Sequence, residues 1–159
     1  MLTFEQMLTR FVVALALGAL LGVERELVGK EAGVRTEMVV SAGAAIFAMI
    51  GLTLPYIISA GQLIPEAPVL TTSGAIIASI VSGIGFLGAG LIIKMNDHPH
   101  GVTTAALVWA TAGIGTLIGV GLIGFAVTAT IILEAILYLL RNLRISERIE
   151  KVVERSKNL

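Results

Sequence analysis

Hydrophobic and polar positions fall into long blocks along the 159-residue chain. From Met38 to Ile93 the only charged residue is Glu66, and from Val102 to Leu133 there is none. A helix rising about 1.5 Å per residue needs about 20 mostly apolar residues to cross the hydrocarbon core of a bilayer. Five stretches have that character, at roughly 4–23, 38–58, 73–93, 102–118 and 122–141. They predict an all-α integral membrane fold with a five-helix transmembrane domain over 1–141. A short charged tail follows over 142–159, where Ile145, Ile149, Val152 and Val153 share one helical face. That pattern suits an amphipathic helix on anionic lipid or against a partner.

The connectors carry turn chemistry. Residues 24–37 hold seven charges and two glycines, 59–72 contain Gly61, Pro65 and Pro68, and 94–101 contain Asn96, Asp97 and Pro99. Thr36, Ser73 and Thr103 are expected as helix N-caps, with Glu37 against the positive end of a helix dipole. Only Gly119, Gly121 and Gly124 divide the last two apolar stretches, so a very tight hairpin is required there. Ten of the eleven Lys and Arg residues fall on one side of the five-span arrangement, and only Arg10 lies toward the other. The positive-inside rule then predicts an N-terminus outside and a C-terminus in the cytoplasm. Residues 1–10 lack a basic leader region, so the first helix is expected to remain as an N-out anchor.

Composition sharpens the picture. The chain is 56% hydrophobic and 14% charged, against about 25% charged in ordinary soluble domains, too little polarity to coat a water-facing globule. A formal net charge of zero argues against nucleic acid as a partner. Without cysteine there is no disulfide framework and no thiolate metal site.

Gly83, Gly85 and Gly88 spell G-x-G-x-x-G, but they lie deep in an uncharged run with no strand before them, so a dinucleotide fingerprint is rejected. Small residues in lipid let helix backbones approach closely. Gly83, Gly85, Gly88 and Gly90 in the third helix, Gly18 and Gly22 in the first, and Gly113, Gly115 and Gly119 in the fourth are expected at helix contacts. Ser79, Ser82 and Thr111 are expected to add interhelical hydrogen bonds. Homodimerisation is expected through Gly18 and Gly22. The run from Gly83 to Ile92 echoes Gly113 to Ile123 with one insertion, in the inverted sense seen in transporters; low compositional complexity produces the same match.

The densest polar group is Glu24-Arg25-Glu26, followed by Arg35-Thr36-Glu37. The topology gathers these with Thr103 and Thr104 at the cytoplasmic face, beside two helix N-termini. One reading is an inward-facing ion or partner site. The other, which we prefer on sequence, is a self-satisfied network in which Glu24 pairs with Arg35 and caps a helix end. Glu134 is an intramembrane carboxylate, costly at that depth and by default a functional candidate; snorkelling or a bond to a neighbouring helix is the alternative. Arg10 lies about 10 Å from it in depth and is expected to reach the outer headgroups. Asp97-His98-Pro99-His100 offers ligand types but too few donors for a metal. No nucleophile-base set is present, so no catalytic residue, cofactor or metal is expected, and the protein is read as not an enzyme.

Four ordered blocks carry a family likeness. Gly22-Val23-Glu24-Arg25-Glu26, Ala32-Gly33-Val34-Arg35-Thr36, Gly83-Ile84-Gly85-Phe86-Leu87-Gly88-Ala89-Gly90, and Gly101-Val102-Thr103-Thr104-Ala105-Ala106 with Trp109 and Gly113-Ile114-Gly115 resemble the signature of the MgtC/SapB family of bacterial membrane proteins. The resemblance implies a multi-pass inner-membrane protein, linked to growth under magnesium limitation and to survival in host phagocytes. It also implies a regulator acting on a membrane complex such as an F-type ATP synthase, with Glu24, Arg25, Arg35 and Thr36 as the shared polar site. Many members continue into a cytoplasmic domain of the ACT type where this chain has its charged tail. Some have Asn at the position of Thr103 and Cys at that of Ala110. Both departures weaken transfer of the virulence role. An ion or solute transporter, carrying magnesium or coupled to protons, is the competing expectation.

Overall fold

The computed structural model describes residues 2–59, 66–95 and 98–142. Five helices follow one another: α1 (Phe4–Leu27), α2 (Val34–Ile58), α3 (Glu66–Leu91), α4 (Val102–Val120) and α5 (Ile123–Asn142). Each contains a stretch long and apolar enough to cross a membrane. The predicted spans are all present, and the differences lie at their ends. The charged tail predicted beyond residue 142, Glu66's side chain and Asp97 lie outside what is described.

Helices α2 and α4 form the centre. Helix α1 packs on both, α3 leans on both from another side, and α5 lies against α4 and α1. The innermost apolar cluster is Ala14, Leu21, Ala45, Leu107, Ile114, Ile118 and Ala126. Large apolar side chains such as Phe47, Phe86, Trp109 and Phe125 point outward, as lipid contact requires.

Small residues set the close approaches. A Cβ on Gly18 would lie 2.5 Å from the Glu37 carbonyl, and one on Gly22 would lie 2.5 Å from the Val34 Cα. On the other side of α2, Gly115 abuts the Ser41 carbonyl and Gly119 the Ala45 carbonyl. The Gly18/Gly22 face is therefore occupied within the chain by α2 and is not free to seat a second copy, contrary to expectation. Gly88 makes an ordinary contact with Ala105, whereas Gly83, Gly85, Gly90 and Gly113 have no neighbour within 4 Å of a Cβ. The echo between the third and fourth helices is thus not repeated in packing.

The ends correct several expectations. Thr36, Ser73 and Thr103 do not cap helices: α2 starts after Gly33 and α4 after Gly101, neither with a side-chain cap, and α3 begins before Ser73. The Ser73 hydroxyl instead donates to the Gly51 carbonyl at 3.0 Å. Pro55 lies inside α2 and has no N–H, so the carbonyl four residues earlier is left for a neighbouring helix to satisfy. Ser79 donates to its own helix, to Ala75, and Thr111 makes no hydrogen bond; Ser82 is exposed.

The tight hairpin between α4 and α5 is present. Gly121 adopts φ +107, a left-handed value that glycine takes without penalty. Its N–H donates to Ile118 and that of Leu122 to Leu117, closing the helix in a Schellman arrangement. Arg10 does not extend away from the bundle. Its Nη1 donates to the Gly119 carbonyl at 2.7 Å, placing a cation at the negative end of α4. Between α3 and α4 the chain forms a two-stranded hairpin, β1 (Ile93–Met95) with β2 (His98–His100), where only a turn was expected.

Candidate functional site

Three buried stripes carry polar side chains into one end of the bundle. On α1 the stripe Ala14, Gly18, Leu21, Gly22 continues to Arg25, at the spacing that keeps residues on one helical face. On α2, Glu37 and Ser41 lead the buried run of Ala44, Ala45 and Ala48. On α4, Thr104 and Thr111 are in phase with Val108 and Gly115. These polar groups are buried because they share faces with the glycines and alanines that draw the helices together.

Where α1, α4 and α5 meet the 28–33 connector and β2, a cleft of about 510 Å³ opens. Its polar walls are Glu24, Arg25, Lys30, Glu31, His100, Thr103, Thr104 and Arg141, and Leu137 and Leu140 supply an apolar side. Glu24 and Arg25 are buried and form an ion pair, with Arg25 Nε donating to Glu24 Oε2 at 2.5 Å. The other oxygen, Oε1, lies 3.9 Å from Arg141 Nη1, and the Arg141 guanidinium sits 5.2 Å over the Tyr138 ring. Thr104 donates its hydroxyl to Glu31 Oε2 at 3.3 Å. The carboxyl of Glu31 is held below its ordinary pKa, chiefly by its own backbone N–H, against partial desolvation. The Thr104 hydroxyl and the charges of Lys30 and His100 add to the lowering.

The expected site residues separate into two groups. Glu24, Arg25, Thr103 and Thr104 come together in the cleft. Glu26, Arg35 and Thr36 do not line it. Glu24 pairs with Arg25 and lies near Arg141 rather than Arg35, and its Oε1 is buried without a hydrogen bond. Glu26 performs the helix-end role, its Oε2 accepting the Val34 N–H at 3.0 Å. Arg35 and Thr36 are exposed on the first turn of α2.

Glu134 faces inward, within the field of Glu24 and Arg25, and its Oε1 is buried with no hydrogen-bond partner. Sequence reasoning missed Lys30, Glu31, His100 and Arg141 as cleft residues, because only folding brings the connector, β2 and the end of α5 together. It also gave Glu37 no role beyond the helix dipole, although its phase with Ser41 and the α2 alanines was a readable sign of burial. Among the described residues no three His, Asp or Glu side chains converge on a metal position.

Five apolar spans with a polar cleft at one end define a multi-pass α-helical membrane protein. The family model for the MgtC family matches residues 11–145. The chain is 42% identical to Protein MgtC of Salmonella typhimurium over 141 residues, covering 89% of this chain and 54% of that protein. It is 40% identical to Protein MgtC of Brucella abortus over 130 residues, 82% of this chain and 49% of that one. An uncharacterized protein of Haemophilus influenzae is 34% identical over 149 residues, 92% of this chain and 58% of that one. The chain belongs to the MgtC family. It spans about half the length of the curated relatives it matches, and no solved structure matches it.

Proposed function

We propose that this protein is a non-enzymatic regulator of ion balance in the bacterial inner membrane, acting in adaptation to low magnesium through contact with a membrane partner. The observation that carries this reading is the groove between α2 and α3. It has a volume of about 440 Å³ and is lined by Val39, Gly43, Phe47, Ile80, Gly83 and Leu87 among other almost wholly apolar residues. Gly43 and Gly83 there have no neighbour within 4 Å, leaving room for an incoming helix backbone. The proposed orientation is N-terminus outside and C-terminus in the cytoplasm, which turns the polar cleft inward.

The test is photo-crosslinking from position 47 in native membranes, with growth at limiting magnesium as the readout. Gly83→Leu projects into the groove from a position where an added Cβ meets nothing within 4 Å, so it should abolish both the crosslinked partner and the growth benefit while the bundle stays folded. Unchanged growth and crosslinking in that variant would rule the groove out.

Transport is the second reading, supported by the carboxyls of Glu24 and Glu134 around Arg25 in the interior. Liposomes containing the protein would show magnesium or proton flux, lost in Glu134→Gln, if it holds. Absence of flux together with partner capture supports regulation.

A further inference from the structure

Glu37 is fully buried, and neither carboxyl oxygen has a hydrogen-bond partner. The Ser41 hydroxyl, one turn along the same face of α2, and the Thr111 hydroxyl of α4 are also fully buried and unbonded. The three lie at one level of the bundle: Gly18 abuts both the Glu37 carbonyl and Ser41, and Gly115, one turn beyond Thr111, abuts the Ser41 carbonyl. The Thr111 hydroxyl comes close enough to the carboxyl to act on it, without completing hydrogen-bond geometry. Buried polar groups are nearly always bonded, and unbonded ones call for an explanation.

Charge supplies one. The cation acting on Glu37 is Arg25 of α1. That guanidinium is already bound by Glu24 and also lies in the field of Glu134 of α5. Helix α4 brings only the Thr111 hydroxyl, and residues 71–91 of α3 contain no charged side chain. With every group ionised, three carboxylates would share one buried guanidinium, with Arg141 standing exposed at the rim. A buried charge must be paired or neutralised, and no metal-ligand cluster is assembled among the described residues. A proton fits where a hydrated ion does not. The neutral acid also provides an O–H donor that the carboxylate lacks, which can close onto the waiting hydroxyls.

We propose that Glu37, with Ser41 and Thr111, is a proton-binding site inside the bundle, loaded from the polar cleft past Arg25. On loading, hydronium in the cleft gives up a proton, an O–H bond forms on a Glu37 carboxyl oxygen, and water is left behind. Arg25 keeps its own protons, since a guanidinium does not release them at accessible pH. It acts as a positioning charge: it lines the cleft, and its charge acts on both Glu37 and Glu134. Unloading leaves Glu37 in competition with Glu24 and Glu134 for Arg25. Proton occupancy is thereby tied to how α1, α2 and α5 meet. The site stands whether or not the groove between α2 and α3 binds a partner.

The test is infrared spectroscopy of the full chain in lipid nanodiscs, with carbon-13-labelled glutamate, titrated with pH. The wild type should show a protonated-carboxyl C=O band at neutral pH, declining about tenfold per pH unit above the midpoint of the site. Glu37→Gln should remove the band, and Glu134→Gln should retain it. Thr111→Val, close in shape, and Ser41→Ala keep the carboxyl but remove a bonding partner, so at least one should shift the band frequency. No band at neutral pH, or one that survives Glu37→Gln or disappears in Glu134→Gln, overturns the proposal. Should Glu37→Gln fail to fold, a band unmoved in both hydroxyl variants overturns it equally.

Discussion

Gly18 and Gly115 hold the same stretch of α2 from two sides, and in each case the nearest obstructing atom is a backbone carbonyl oxygen. Backbone cannot rotate away as a long side chain can. Gly18→Leu should therefore destabilise the bundle by about 3 kcal/mol or more, measured by unfolding in detergent. Gly83→Leu, where an added Cβ meets nothing within 4 Å, should leave stability nearly unchanged. Glu31 belongs to the same scale. Its folded pKa is lowered from 4.5, so its stabilising contribution is present above that value and is lost as pH falls through the folded one. Thr104→Val removes one cause of the lowering and should move the Glu31 titration upward toward 4.5, followed by carbon-13 NMR of labelled glutamate.

Helix ends explain most of the departures from expectation at the next scale up. The start of α2 lies beside Gly22, more than a turn before α1 ends, so the 28–33 connector folds back and buries Ala32. That return places Glu26 against the Val34 N–H. Glu26→Ala should cost about 1 kcal/mol in detergent unfolding, the usual value of an N-cap. Ser73→Ala should cost a similar amount, about 0.5–1.5 kcal/mol, because the Gly51 carbonyl freed by Pro55 would lose its donor. Thr36, Ser73 and Thr103 were all chemically suitable caps. Propensity alone could not show that backbone approach would start two of these helices at glycines and give the serine another partner.

Across the whole molecule, ion pairs and helix dipoles are divided between two ends. Arg10 meets the C-terminus of α4 at one end, and Glu24, Arg25, Glu31 and Arg141 meet around the N-terminus of α4 at the other. Fluorescent or phosphatase reporters fused to each terminus should place the first residue outside and the last in the cytoplasm. Both reporters active in one compartment would exclude the proposed five-span topology.

The amino-acid order alone determined the number of helices and the middle of each, because an apolar block long enough to span lipid has few other folded forms; α1, α2 and α3 nevertheless run past the ends expected for them. It also placed Glu24, Arg25, Thr103 and Thr104 together, since the two spans between α1 and α4 return the chain to the end it left. Tertiary structure decided which glycines are contacts and which are vacant, that Arg141 rather than Arg35 reaches Glu24, and that Glu37 is buried without a partner. Those outcomes depend on the rotation of each helix about its axis and on where its neighbours begin. When nearly every face is apolar, periodicity is a weak guide to that rotation, and the close approach of backbones fixes it instead.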